Sequence, residues 1–235
     1  MLIQTYDTIR TMQLIQLAVA RGFDRWTGGV VRYDRAEKLA RKFADLYGVN
    51  PDRAHSMRLR RAGTARSRLV LLPDPAQMSF AWWLLVSEGA GLVVEREQLR
   101  DATDRRSRIM LRGWELLRTP KRQVRAAVGW TWRLPEKEFQ IRIEHACAVA
   151  THESAKQAQT LIVDLQFWPG FHGIAQQRRQ ILDAMATARH NAGRSDPLVL
   201  PPHPPWPRLL PMRGRGSPLA IAVERMRQGV IGVDA

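Results

Sequence analysis

Residues 67–86, SRLVLLPDPAQMSFAWWLLV, are the stretch that decides the fold. Two apolar runs, 67–72 and 80–86, flank the sequence Pro-Asp-Pro, whose residue types favour turns. The second run is apolar at every position and rich in aromatic residues, so it predicts a strand that is buried on both faces. The stretch therefore predicts a pair of neighbouring antiparallel strands.

Two later runs extend this sheet. Residues 108–118, RIMLRGWELLR, predict one strand, and residues 128–134 alternate so that their apolar side chains share one face. Thr-Pro-Lys-Arg at 119–122 predicts the hairpin tip between them. Residues 57–61 can pair with the first run, or form a helix, and 95–105 predict a short helix. The sequence therefore predicts an antiparallel β-meander of four to five strands.

Helical patterns flank the meander. Residues 5–62 predict helices, broken at Thr-Gly-Gly. Beyond the meander the apolar spacing changes to 3.6 residues and predicts one long helix at 136–167 and a return helix at 174–191. A Pro-rich, extended segment at 197–218 precedes a short helix at 219–227.

The chain is therefore predicted to be an α+β protein. Its order is N-terminal helices, the meander, a C-terminal helical hairpin that packs on the sheet, and a Pro-rich tail. The predicted segments are an N-terminal helical segment at 1–54, a basic β region at 55–134, the helical hairpin at 135–193, and the tail with its short helix at 194–235.

Composition is that of a globular protein. The 235 residues are 45% hydrophobic and 25% charged, enough to form a core without disulfides or metals. The lone Cys147 excludes a disulfide framework and indicates a reducing compartment. No apolar run approaches the 18 residues of a membrane span, and the first residues lack a signal-peptide pattern. We therefore expect a cytoplasmic location and no membrane partner.

Positive charge is the most informative feature. The net charge is +15, the pI is near 11.3, and 32 of the 37 basic residues are arginines. The codon usage of a GC-rich genome explains why arginine outnumbers lysine, but it does not explain why basic residues outnumber acidic ones. Guanidinium groups bind phosphates bidentately and stack on bases. The charge therefore predicts a nucleic-acid partner, DNA or RNA.

Most of this charge lies in residues 53–133, which hold sixteen arginines and one lysine against seven acids. Alternatively, these basic residues form a solvent-exposed face and make salt bridges with Glu95, Glu97, Asp101 and Asp104. We expect three groups to contact phosphates, together with two arginines of the segment RGRGS at 213–217. The predicted binding residues are Arg58, Arg60, Arg61, Arg66 and Arg68; Arg105, Arg106, Arg108 and Arg112; Lys121, Arg122 and Arg125; and Arg213 and Arg215.

Residues 43–57 match a helix-turn-helix spacing. In that interpretation Gly48 forms the turn, Ala54 and Met57 pack on the first helix, and the arginines of the second helix face the groove. Alternatively, Gly48 ends a helix and 55–61 form the first strand.

The eight tryptophans allow two interpretations. Trp130 and Trp132, interleaved with arginine, can stack unpaired bases. Aromatic residues of this kind are more often core residues, and we expect that for Trp82, Trp83 and Trp114 as well.

Catalytic patterns are sparse, so no catalytic residue is assigned and no cofactor or metal is expected. The sequence contains no HExxH, no phosphate-binding loop and no paired cysteines. A nuclease remains open: Asp101 and Asp104 with Glu95 or Glu97 could hold Mg²⁺, and His55 among arginines could serve a metal-free ribonuclease.

The strands at 82–86, 108–118 and 130–133, followed by a long helix, resemble uncharacterised proteins carried on plasmids and integrative conjugative elements of proteobacteria. The resemblance covers about residues 55–190, implies a role in maintaining, replicating or transferring DNA, and transfers no functional residue. RGRGS at 213–217 also resembles the Gly-rich loop of CRISPR RNA endonucleases, but the N-terminus predicts a helix where that fold begins with a strand.

The leading prediction is therefore a non-enzymatic nucleic-acid-binding protein of a bacterial mobile element. The alternatives are a nuclease, including a metal-free CRISPR-type RNA endonuclease, and a structural subunit that contacts other subunits of a nucleoprotein complex.

Overall fold

The computed structural model describes residues 3–120, 128–196, 198–200 and 216–229. The chain forms two compact units. The first unit comprises residues 1–108 together with residues 212–235, and the second comprises residues 109–211. Both ends of the chain therefore contribute to the first unit.

The first unit is a sheet flanked by helices. Its central strands are eight residues long. The strands and helices are, in chain order, β1 (Gln4–Thr5), α1 (Thr8–Ala20), β2 (Arg25–Arg32), α2 (Tyr33–Tyr47), α3 (Arg53–Arg61), β3 (Ser67–Asp74), β4 (Ser79–Val86), α4 (Leu92–Arg96) and β5 (Arg100–Asp101), and finally, after the second unit, β9 (Ser217–Pro218) and α8 (Leu219–Arg227).

The strand order is β5-β2-β4-β3-β1-β9. The central strand β4 pairs antiparallel with β3 on one side and with β2 on the other. A 3₁₀ turn at Pro75–Gln77 joins β3 to β4, where the Pro-Asp-Pro sequence predicted a turn. The short strand β1 runs parallel to β3, so the sheet is mixed.

Side chains on both faces of β3 and β4 are buried, as the apolar run at 80–86 predicted. Phe80 and Leu84 lie in a cluster with Phe43 of α2 and Val223 of α8. The intervening side chains, such as Leu85, point to the opposite face, and α1 contacts β3 and β4. Burying each large apolar side chain stabilises the fold by about 1.5–3 kcal/mol.

Glycines 28 and 29 lie inside β2 and do not break a helix, so the helical prediction for this stretch was wrong. A Cβ on Gly28 would lie 2.6 Å from the backbone oxygen of Trp82, and one on Gly29 would contact the Trp82 ring. The close approach of the two strands therefore requires glycine at position 28, whereas a Cβ on Gly29 would make only ordinary contacts.

The second unit combines a small sheet with three helices. Its antiparallel strands, in the order β6-β7-β8, precede the helices in the chain. The elements are β6 (Met110–Leu111), β7 (Trp114–Pro120), β8 (Val128–Arg133), α5 (Glu136–His152), α6 (Ala155–Gln166) and α7 (His172–Asn191).

The single helix predicted at 136–167 is two helices. Glu153 ends α5 with extended backbone, and Ser154 begins α6 through a capping box with Gln157. The Ser154 hydroxyl accepts a hydrogen bond from the Gln157 N–H, and the Gln157 side chain accepts one from the Ser154 N–H. Reciprocal capping satisfies N–H groups at a helix start, so the chain breaks here.

The N-terminal half of α7 packs on β8. The Gln177 amide accepts a hydrogen bond from Leu134 N at 2.7 Å and donates one to Leu134 O at 3.0 Å, as a neighbouring strand would. A Cβ on Gly173 would lie 2.7 Å from Trp132 O, so only glycine fits there. Trp132 is fully buried beside Phe171.

The predicted α+β class is confirmed, and the structure divides its strands between two sheets. The return helix and the short C-terminal helix are confirmed as α7 and α8. The strand predicted at 57–61 is wrong, because these residues belong to α3. The strand predicted at 108–118 is interrupted by a turn, because Arg112 and Gly113 both have positive φ.

The unit boundaries also differ from the predicted segments. β1 and β2, from the predicted helical segment 1–54, pair with β3 and β4 of the predicted β region. α8, from the predicted tail 194–235, shares a core cluster with α2. Long-range strand pairing therefore overrides the local change in pattern at residue 54.

Within the described residues, no helix has the length and apolar character needed to cross a bilayer.

Candidate nucleic-acid interface

α3 is an exposed and strongly basic helix. Its nine residues include four arginines, and none of its side chains is buried. The Asp52 carboxylate caps the helix by accepting a hydrogen bond from His55 N at 2.7 Å. Arg58, Arg60 and Arg61 occupy the last turn, where positive charge interacts favourably with the helix dipole. The helix thus presents charge and contributes no buried side chain to the core.

The helix-turn-helix interpretation is correct for the two helices but wrong for their packing. Gly48 ends α2 in the left-handed conformation, with a φ of 55°. Ala54 is exposed and Met57 is 47% exposed, although both should pack on α2. α3 has too few apolar side chains to form that contact.

Two arginines at the start of β3 stack on one aromatic ring. The guanidinium carbons of Arg66 and Arg68 lie 4.8 and 5.2 Å from the ring centre of Phe23. Arg66 also donates hydrogen bonds to Ser87 Oγ at 3.3 Å and to Ser56 Oγ on α3 at 3.4 Å. These contacts fix the positions of two guanidinium groups at the start of β3.

Sheet register brings further arginines to the same place. Arg25 of β2 and Ser67 of β3 both pair with Val86 of β4. Arg25 donates a hydrogen bond to Ser87 O at 3.3 Å. Arg21, which ends α1, interacts electrostatically with Arg68. We name this set the arginine cluster: Arg21, Arg25, Arg60, Arg66 and Arg68.

The charges of the cluster repel one another. Burial, followed by the charge of Arg60, lowers the pKa of Arg66. Burial, followed by the charges of Arg21 and Arg66, lowers the pKa of Arg68. Among the described residues, no carboxylate forms an ion pair with the cluster. Because arginine remains protonated at neutral pH, the site carries positive charge that the described part of the fold leaves unneutralised.

Acids that could have neutralised this region serve other contacts. Asp101 accepts hydrogen bonds from Thr103 N and Oγ1, both at 2.7 Å, and Asp104 accepts one from Arg106 N at 3.0 Å. Glu97 accepts a hydrogen bond from Tyr47, and burial with this hydrogen bond raises the pKa of Tyr47 to about 12. These contacts do not support the alternative of a face neutralised by local salt bridges.

The second predicted group is divided. Arg105 and Arg106 are exposed on a turn of the first unit, where Trp26 Nε1 donates a hydrogen bond to Ser107 O at 2.8 Å. Arg108 is half-buried in the same unit. Arg112 belongs to the second unit, on the turn between β6 and β7.

The remaining predicted residues, Lys121, Arg122, Arg125, Arg213 and Arg215, lie outside the described residues. Of the fourteen predicted binding residues, the structure brings Arg60, Arg66 and Arg68 together, with Arg58 and Arg61 on the same helix as Arg60.

Sequence reasoning missed Arg21, Phe23 and Arg25. Arginines flank an aromatic residue in the local sequence RGFDR at 21–25, directly after an apolar helix pattern. This is a usable signal for a site, but the strand register that brings it to Arg66 is non-local.

Tryptophan positions favour the core interpretation in part. Trp132 is fully buried, and Trp83 is 6% exposed. Trp82, Trp114 and Trp130 are half-buried. The guanidinium carbon of Arg118 lies 5.7 Å from the Trp130 ring centre.

Histidine and cysteine are the side chains most often used in catalysis or metal binding. His55 is exposed on α3, His145 and His152 are exposed on α5, and Cys147 is a half-buried free thiol. In the part of the chain that the structure describes, no three His, Cys, Asp or Glu side chains form a group that could hold a metal ion. The nuclease alternative stays a prediction.

Comparison with known proteins gives no family: no family model, curated protein or solved structure matches the chain.

Proposed function

We propose that this protein binds nucleic acid by contacting phosphates with the arginine cluster and the last turn of α3. The observation that carries the proposal is the absence of a carboxylate partner for Arg60, Arg66 and Arg68 among the described residues. Like charges held together destabilise a fold, and a polyanion would relieve that repulsion.

The geometry supports phosphate binding more directly than base recognition. Stacking on Phe23 restricts two guanidinium groups, so less side-chain entropy is lost when they bind. Guanidinium groups bind phosphate oxygens bidentately. Phosphate contacts carry no sequence information, so this surface accounts for affinity without sequence specificity.

The setting of this activity is part of the same proposal. The resemblance of residues 55–190 to plasmid and conjugative-element proteins supports a role in maintaining, replicating or transferring the DNA of a bacterial mobile element. A cytoplasmic location follows from such a role.

A salt titration tests the proposal. Binding of duplex DNA, single-stranded DNA and RNA would be measured by filter binding at several salt concentrations. Because about six arginines would neutralise phosphates, we expect log K to fall with log salt at a slope of about −4 to −6. No binding at low salt, or binding that salt does not weaken, would refute the proposal.

A further inference from the structure

A second candidate site lies wholly in the second unit. The β6–β7 hairpin, the end of β8, the start of α5 and Trp168 enclose a pocket of about 570 Å³. Ligand pockets typically have volumes of about 300–1,000 Å³. None of its lining residues belongs to the arginine cluster.

The pocket floor is aromatic and apolar. Trp114 and Trp168 meet edge to face, with ring centres 5.3 Å apart and planes at 77°. Both rings are half-buried, Leu134 is buried behind them, and Met110 is 43% exposed at the side. A half-buried indole ring offers a face on which a planar ring can stack.

The rim of the pocket is basic. Arg112, Lys137 and Arg142 line it and are exposed, against one acid, Glu138. None of these three cations forms an ion pair with a carboxylate in the described part of the chain. An occupant that matches both floor and rim must be planar and aromatic on one side and anionic on the other.

The turn at the rim adds an independent observation. Arg112 has a φ of 46° and Gly113 a φ of 85°, the pattern of a two-residue hairpin turn that favours Asn-Gly. Arginine is disfavoured in the left-handed region, where a side chain costs about 1 kcal/mol or more. The fold therefore holds an arginine at a strained position where asparagine would be more stable.

We propose that this pocket binds one unpaired nucleotide of a single strand, with the base stacked on Trp114 and its phosphate held by Arg112, Lys137 and Arg142. The proposal rests on the proposed function and adds a substrate class to it. Bases in a duplex are already paired and stacked, so the pocket favours single strands. Stacking one base on an aromatic side chain contributes about 1–3 kcal/mol.

The test compares two matched apolar-to-acidic substitutions in the second unit. Met110→Glu places a carboxylate at the pocket, and Val163→Glu places one on α6, outside the pocket. The two positions are similarly exposed, at 43% for Met110 and 41% for Val163. Binding of a labelled oligo(dT) and of a duplex of equal length would be measured by fluorescence anisotropy. We expect Met110→Glu to weaken single-strand binding at least about fivefold. Its affinity for the duplex should stay within about twofold of wild type. Val163→Glu should bind both substrates within about twofold of wild type.

A second variant separates binding from folding. Arg112→Asn removes a cation but suits the turn, so we expect an unchanged or raised melting temperature together with weaker single-strand binding. The pocket alone would be overturned if the wild-type protein binds duplex more tightly than single strands. It would also be overturned if the pocket variants leave single-strand binding unchanged. A wild-type protein that binds neither of these substrates, and no RNA either, would overturn the proposed function and the pocket together.

Discussion

The arginine cluster of the first unit and the buried arginines of the second unit use the same side chain in different ways. In the first unit, Arg60, Arg66 and Arg68 gather without a carboxylate partner among the described residues. In the second unit, Arg189 and Arg133 donate hydrogen bonds to oxygen atoms of their own fold. The difference shows that a high arginine content does not by itself measure the charge available to a partner.

Arg189 is the clearest structural arginine. It is 3% exposed, and its guanidinium donates hydrogen bonds to Asp196 O at 2.8 Å and Ala150 O at 2.9 Å. It also forms an ion pair with the Asp196 carboxylate. Similarly, Arg133 pairs with the buried Glu115 across two strands at 3.0 Å. These arginines connect elements of the second unit and leave little charge for a ligand.

Arg189→Gln should produce the largest loss of stability. Removing the guanidinium leaves buried carbonyl groups without donors, so we expect the free energy of unfolding to fall by about 3 kcal/mol. Nucleic-acid affinity should stay within about twofold, because the side chain is buried. Urea unfolding and binding would be measured on the same protein, with the exposed Arg179→Gln as control. Weaker binding at unchanged stability would mean that Arg189 contacts the ligand.

Arg178→Met should stabilise the protein. Arg178 is 1% exposed, and its one described hydrogen bond, to Leu165 O, is 3.4 Å long. Its Nε and Nη2 have no hydrogen-bond partner among the described residues, and burial lowers its pKa. Methionine would fill similar space without unpaired donors, so we expect a gain of about 1–2 kcal/mol in urea unfolding. A loss of similar size would show that the guanidinium has a partner.

Arg60→Gln should separate binding from stability. Its charge lowers the pKa of Arg66, so removing it relieves repulsion and should leave the melting temperature unchanged or slightly higher. Losing one phosphate contact should weaken binding, with a salt slope less negative by about 0.9. Arg35→Gln on the exposed face of α2 is the matched control. A lower melting temperature with unchanged binding would make Arg60 a structural residue.

Local patterns predicted the elements whose signals are local. β3 and β4 follow from continuous apolar runs, and the helix at 219–227 was also predicted from its local sequence. The break at Ser154 was predictable, because Ser154 and Gln157 have capping-box spacing, yet the apolar pattern continued through it. The glycines of β2 were misjudged because their role depends on Trp82, a contact distant in sequence.

The candidate site was predictable only in part. Arg58, Arg60, Arg61, Arg66 and Arg68 are close in sequence, so composition alone selected them. Arg25 joins them through the pairing of β2 with β4, and Arg21 through the end of α1. Sequence also could not distinguish Arg178 and Arg189 from binding residues, because burial depends on how α7 packs.

The central claim is that the arginine cluster supplies charge to a nucleic acid. The most direct measurement compares salt slopes for duplex DNA between Arg60→Gln/Arg66→Gln/Arg68→Gln and Arg35→Gln/Arg41→Gln/Arg179→Gln, which removes the same net charge from exposed positions. We predict a slope less negative by about 3 for the cluster variant and nearly unchanged for the control. Equal slopes for the two variants, with both folded by thermal melting, would contradict the account.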